Sequence, residues 1–268
     1  MTGSRRPIAT PALDGLALGF VAQLLVLATL DTYVALGRIG WLCGVGFAVA
    51  TWVVLGGAVR RSGMRALGPA NAVTLARTTL VGGVLALVAG AVAAALRGPG
   101  PATVPTTVLV GLAAVALALD GVDGQVARRT GSTSELGARF DMEVDALLIM
   151  VLSVFVASTY GWWVLGIGAL RYVFVAAAWS LPWLRVGLPA RFSRKVVAAV
   201  QGVALAVAAA GVLPGPVTGA VLGLALSSLC WSFGRDVSWL WVMRHRRDVR
   251  VPAPRPRPLE AAATATHR

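Results

Sequence analysis

Acid is scarce in this chain. Only eleven of its 268 residues are Asp or Glu, and only two are Cys. Cys43 and Cys230 both fall inside long apolar runs, so neither reads as half of a disulfide or of a metal-ligand pair; packing among apolar side chains is the expected role. The alternating apolar–polar pattern of barrel strands is absent, as is any repeat of fixed period. The first apolar run lacks a small-residue cleavage site and is read as a retained helix.

What the chain has in excess is hydrocarbon. Hydrophobic residues make up 57% of it, and the mean hydropathy is +0.77, far from soluble globular values. A spanning helix needs about 20 largely apolar residues. The candidate runs are Leu13–Leu30, Ile39–Val59, Val73–Leu96, Thr103–Leu119, Val144–Tyr160, Trp162–Pro182, Val196–Leu213 and Val217–Phe233. Lipid cannot satisfy an open backbone, so these runs predict an all-α integral membrane protein with about eight transmembrane helices.

The net charge of +13 is a topology signal. Basic residues concentrate in alternate connections, as they do where positive loops stay cytoplasmic. Arg5 and Arg6 lie at the N-terminus, Arg60, Arg61 and Arg65 in the second connection, and Arg128, Arg129 and Arg139 in the fourth. Arg185, Arg191, Arg194 and Lys195 occupy the sixth, and the tail adds more. Only Arg38 and Arg97 fall on the opposite side, while Arg77, Arg171 and Arg235 lie in or beside spans. Both termini are therefore expected in the cytoplasm of a cell with this protein in its inner or plasma membrane. The basic excess attracts anionic lipid headgroups and implies no nucleic-acid partner.

Against that background, six of the eleven acids crowd into residues 120–145: Asp120, Asp123, Glu135, Asp141, Glu143 and Asp145. If the fourth span continues as helix to Arg129, Asp120, Asp123, Gly124, Ala127 and Arg128 share one face. A turn follows at "TGSTS", with Ser132 and Glu135 spaced as a capping box for the next helix. There Gly137, Asp141 and Asp145 recur every four residues, while Glu143 points roughly opposite. Four facing carboxylates at a membrane boundary repel one another and call for hard divalent cations, Mg²⁺ first and Mn²⁺ second. Small residues on both faces leave room for a ligand against the backbone.

These residues resemble the signature of the CDP-alcohol phosphotransferase family, D-x2-D-G-x2-A-R-x8-G-x3-D-x3-D. The match holds at Asp120, Asp123, Gly124, Ala127, Arg128, Gly137, Asp141 and Asp145. The resemblance implies displacement of CMP from a CDP-linked donor, often CDP-diacylglycerol, by an alcohol hydroxyl. It implies two metal ions held by Asp120, Asp123, Asp141 and Asp145, with Asp145 also the catalytic base. Gly124, Ala127, Arg128 and Gly137 shape the CDP pocket. Upstream, "NAVTLAR" resembles the family's N-x2-T-x2-R element and adds Asn71, Thr74 and Arg77 to the donor site. A homodimer is implied by the family alone.

The expected organisation has three parts: residues 1–65 with two additional helices, a six-helix core over 66–243, and a basic, Pro-rich mobile tail over 244–268. The family resemblance also implies that basic residues on the later helices bind a phosphorylated small alcohol of the glycerol 3-phosphate or inositol phosphate type, which makes Arg171, Arg191, Arg194 and Lys195 the acceptor-binding candidates. "SRKVVAAVQ" loosely resembles the glycerol-phosphate pattern G-K-x-K-T-x2-Q, keeping Lys195 and Gln201 but departing at Val197 and Ala198. The alternatives are an unphosphorylated acceptor, a soluble CDP-alcohol donor, or a divalent-cation transporter. Transport is disfavoured because these acids sit beside basic residues at a boundary rather than at the midplane.

Overall fold

The computed structural model describes residues 12–62, 69–98, 105–130, 135–185 and 192–248. Within helices, the side chains of Asn71, Asp123, Gly124, Ala127, Arg128 and Lys195 lie outside that description, as do Arg191 and the Ser132 cap altogether. Among the described residues the chain is all helix: α1 (Ala12–Val34), α2 (Gly37–Ser62), α3 (Pro69–Ala95), α4 (Thr106–Thr130), α5 (Glu135–Tyr160), α6 (Leu165–Ser180), α7 (Phe192–Ala210) and α8 (Gly215–Asp248). Short 3₁₀ turns precede and follow α6.

Helix α3 is the hub. It starts at Pro69, a residue suited to a first helical turn because its missing N–H would be unpaired there anyway. It packs against α1, α2, α4 and α5, while α7 bridges α4, α5 and α8. The shared core is aliphatic, with Leu27, Val84, Leu109, Leu148, Leu152 and Leu205 fully buried. The outward surface is equally apolar: Leu18, Leu42, Val53, Leu224 and Trp231 are all exposed. A surface of that kind has lipid as its solvent. Exposed tryptophans flank both ends of α6, Trp162 and Trp163 at one and Trp179 at the other, the arrangement of interfacial anchors. The protein is an all-α integral membrane protein.

Among the described residues, five helices carry runs long and apolar enough to cross a bilayer: Asp14–Val34, Gly37–Arg61, Ala72–Ala95, Trp162–Ser180 and Gly215–Arg244. In α4 and α7 the apolar runs are shorter, Thr106–Gly121 and Val196–Ala210. The remainder of α4 and the first turns of α5 are polar because they carry the acidic segment. Helix α8 continues to Asp248, beyond the run Val217–Phe233 read from the sequence. Its polar turns find partners: Trp183 packs edge-on against Trp241, and Arg244 stacks on the same ring.

Two glycines set the path of α6. Gly161 ends α5 at φ 97°, a conformation that Cβ-bearing residues rarely adopt. Gly168 then lies so close to α5 that a Cβ would stand 2.6 Å from the Met150 Cα. Such a contact locks α6 onto one face of α5, as small residues do between membrane helices.

Candidate active site

Three helices converge on one buried guanidinium. Arg77, two turns into α3, is completely inaccessible to solvent. Its Nη1 donates to Asp120 Oδ1 of α4 at 2.5 Å. Its Nη2 donates to Asp141 Oδ1 of α5 and lies 3.3 Å from both the Asp141 carbonyl oxygen and Asp145 Oδ1. The four-residue step from Asp141 to Asp145 is one helical turn, so both carboxylates reach the same side of α5.

The acids are not hidden with their partner. The side chains of Asp120, Asp141 and Asp145 are 44%, 32% and 35% exposed, against 1% for Arg77. One oxygen from each of the three carboxylates lies within 4.8 Å of the others. When all three are ionised, the one guanidinium described among them leaves negative charge over. Oxygen-only ligands this close fit a hard divalent cation. Asp123 sits one turn beyond Asp120 on α4, on the same face by helical spacing.

Of the remaining candidates, Thr74 is one turn before Arg77, and its carbonyl accepts the Thr78 hydroxyl at 2.7 Å. Gly137 is one turn before Asp141 on α5. Arg171 lies elsewhere. Its Nη2 donates to Glu143, two residues and about 200° around α5 from Asp141. Because α6 packs on that opposite face at Gly168, the structure does not bring Arg171 to the Asp cluster. Arg194, at the start of α7, pairs through Nε with Asp236 Oδ2 of α8 at 3.1 Å. Gln201 ties the same two helices, donating from Nε2 to the Ala225 carbonyl at 3.0 Å and to Ser228 Oγ at 3.3 Å.

Sequence reasoning missed both acidic partners. Glu143 is set aside there because it leaves the acidic stripe, yet an acid facing away from one site must face something else. Asp236 had a signal too: it is an acid, 8% exposed, in a helix otherwise apolar over many turns. Buried acids in membrane helices are costly without a partner.

A membrane-embedded helical bundle with convergent carboxylates defines the class: an integral membrane protein with an acidic centre whose three described carboxylates could hold a cation. The family model described as CDP-alcohol phosphatidyltransferase matches residues 67–231, more than half of the chain, and the chain belongs to that family. No curated protein and no solved structure matches it. Members are CDP-alcohol phosphatidyltransferases, so this is a transferase of phospholipid synthesis that moves a phosphatidyl group from a CDP-alcohol to an alcohol, in a family that generally uses a divalent metal. All three described carboxylates and Arg77 fall within the matched segment, whereas α1, α2 and Asp236 lie outside it.

Proposed function

We propose that the protein transfers the phosphatidyl group of CDP-diacylglycerol to a small polar alcohol, releasing CMP, with Mg²⁺ or Mn²⁺ bound at Asp120, Asp123, Asp141 and Asp145. The observation that carries this reading is the meeting of three carboxylates from α4 and α5 within 4.8 Å, inside the family segment. When bound, two cations neutralise the donor diphosphate and stabilise the departing CMP. The chain's own residues do the rest. Asp145 accepts the proton of the attacking hydroxyl as its oxygen bonds to the phosphatidyl phosphorus, and the bond from that phosphorus to the CMP oxygen breaks. No side chain becomes covalently attached. Asn71, Thr74, Gly124, Ala127, Arg128 and Gly137 bind and orient the CDP moiety, Arg128 by charge-assisted hydrogen bonds to phosphate.

The acceptor we infer is phosphorylated, held by Arg191 together with Arg194 and Lys195 of α7. One observation favours a second reading, an unphosphorylated alcohol. Arg171 and Arg194 each already hold a carboxylate, Glu143 and Asp236. The site and both termini face the cytoplasm in this proposal, and the protein works as a homodimer.

The test is CMP release by purified protein given CDP-diacylglycerol and a panel of acceptors, with and without chelator. Turnover requiring added Mg²⁺ or Mn²⁺ and a phosphorylated acceptor supports the first reading. Turnover with an unphosphorylated alcohol selects the second. Full CMP release in excess chelator overturns both.

A further inference from the structure

The arginine at the centre of the cluster has an orientation that a donor-binding residue should not have. Among the described residues, its carboxylate contacts run through Oδ1 of Asp120, Asp141 and Asp145. Arg77 itself is 1% exposed, while the acids are one-third to nearly one-half exposed. The guanidinium therefore lies on the protein side of the carboxylates, and their open side faces away from it. A diphosphate arriving from that open side meets the acids and their cations, and reaching it would oblige Arg77 to abandon three partners.

We propose that Arg77 is a positioning residue that gathers carboxylates from α4 and α5 into one cation site, and is not a ligand of the donor; this rests on the divalent-cation reading above. Carboxylate oxygens within 4.8 Å of one another repel at a partly shielded site. Left alone, the three acids would turn apart. The planar guanidinium offsets that repulsion and fixes direction at once, because Nη1 serves one helix and Nη2 the other. A lysine ammonium brings the same charge without the fork. Charge alone predicts the opposite outcome, since deleting a cation beside a metal site should tighten metal binding. Loss of groups that orient metal ligands usually weakens metal affinity by about 10–100-fold, and that is the effect expected here.

The experiment uses the full chain in detergent or nanodiscs. Mn²⁺ binding is read from the electron paramagnetic resonance signal of the free ion, for wild type, Arg77→Met and Arg77→Lys, with helical circular dichroism confirming the fold. Arg77→Gln replaces Arg77→Met if the latter does not fold. Both variants should bind Mn²⁺ about 10–100-fold more weakly, while CDP binding measured at saturating Mn²⁺ stays within twofold of wild type. Unchanged or tighter Mn²⁺ binding in Arg77→Met overturns the proposal. So does a lysine variant equal to wild type, which would leave charge as the whole effect. Loss of CDP binding at saturating Mn²⁺ also overturns it, and would make Arg77 a donor ligand. A wild type that binds no Mn²⁺ removes the divalent-cation reading itself, and this proposal with it.

Discussion

The two sides of α5 carry two arginine sites built in opposite ratios. On the side of Asp141 and Asp145, one buried guanidinium meets three carboxylates from two helices. On the side of Glu143, one partly exposed guanidinium meets one carboxylate. The second pair is neutral and complete. Counted over the described side chains, the first holds more negative than positive charge in a partly exposed position, a state that calls for further cations. Stoichiometry and burial, more than the presence of arginine and aspartate, set the proposed reactive centre apart from a simple ion pair.

The largest expected effect breaks the surplus. Asp120→Asn or Asp141→Asn should each lower CMP release by roughly 10³-fold or more, because each removes a charged ligand and weakens the cluster's hold on a cation. Chelation should do the same to wild type, and added Mn²⁺ should restore it. An asparagine variant retaining a tenth of wild-type turnover would show that the cluster is not the reactive centre.

Between the two sites stands the contact that keeps α6 on its face of α5. Gly168→Val inserts carbon atoms where the Met150 Cα is already close, and should cost about 1–3 kcal/mol of stability. Thermal unfolding in detergent measures it. Mn²⁺ affinity should stay within twofold, since the strain falls on the face away from Asp141 and Asp145. A matching loss of Mn²⁺ affinity would mean that the two faces act as one unit.

Much of this was legible in the sequence. The length of the apolar runs gave eight helices, because lipid permits little else, and four-residue spacing put Asp141 and Asp145 on one side of α5. Spacing also set Glu143 apart from them. It could not say what Glu143 meets, since that depends on how α6 docks, and the docking hinges on a single glycine at position 168. Arg77 shows the same limit. Its place in a short motif marked it as part of the site, but only the crossing of α3 with α4 and α5 reveals it beneath the carboxylates. Helix α8 runs past the sequence-read span Val217–Phe233, and there Asp236 and Trp241 make an ion pair and a ring contact that no local pattern encodes.

The smallest expected effect sharpens the comparison from its neutral side. Arg171 and Glu143 have side chains 29% and 58% exposed, so solvent screens their attraction. Exposed pairs of this kind contribute about 0–1 kcal/mol. A double-mutant cycle of Arg171→Ala and Glu143→Gln, followed by thermal unfolding, should return a coupling in that range. Neither substitution should shift Mn²⁺ affinity more than twofold, because both side chains lie on the face of α5 turned from the cluster. Acceptor KM is the discriminating readout. An arginine already satisfied by a carboxylate and set on that far face has no phosphate to hold, so Arg171→Ala should change acceptor KM by less than threefold. A tenfold rise in acceptor KM with donor KM constant would give Arg171 back to the acceptor. It would also require Glu143 to release Arg171 during turnover, and Glu143→Gln should then lower acceptor KM rather than leave it unchanged.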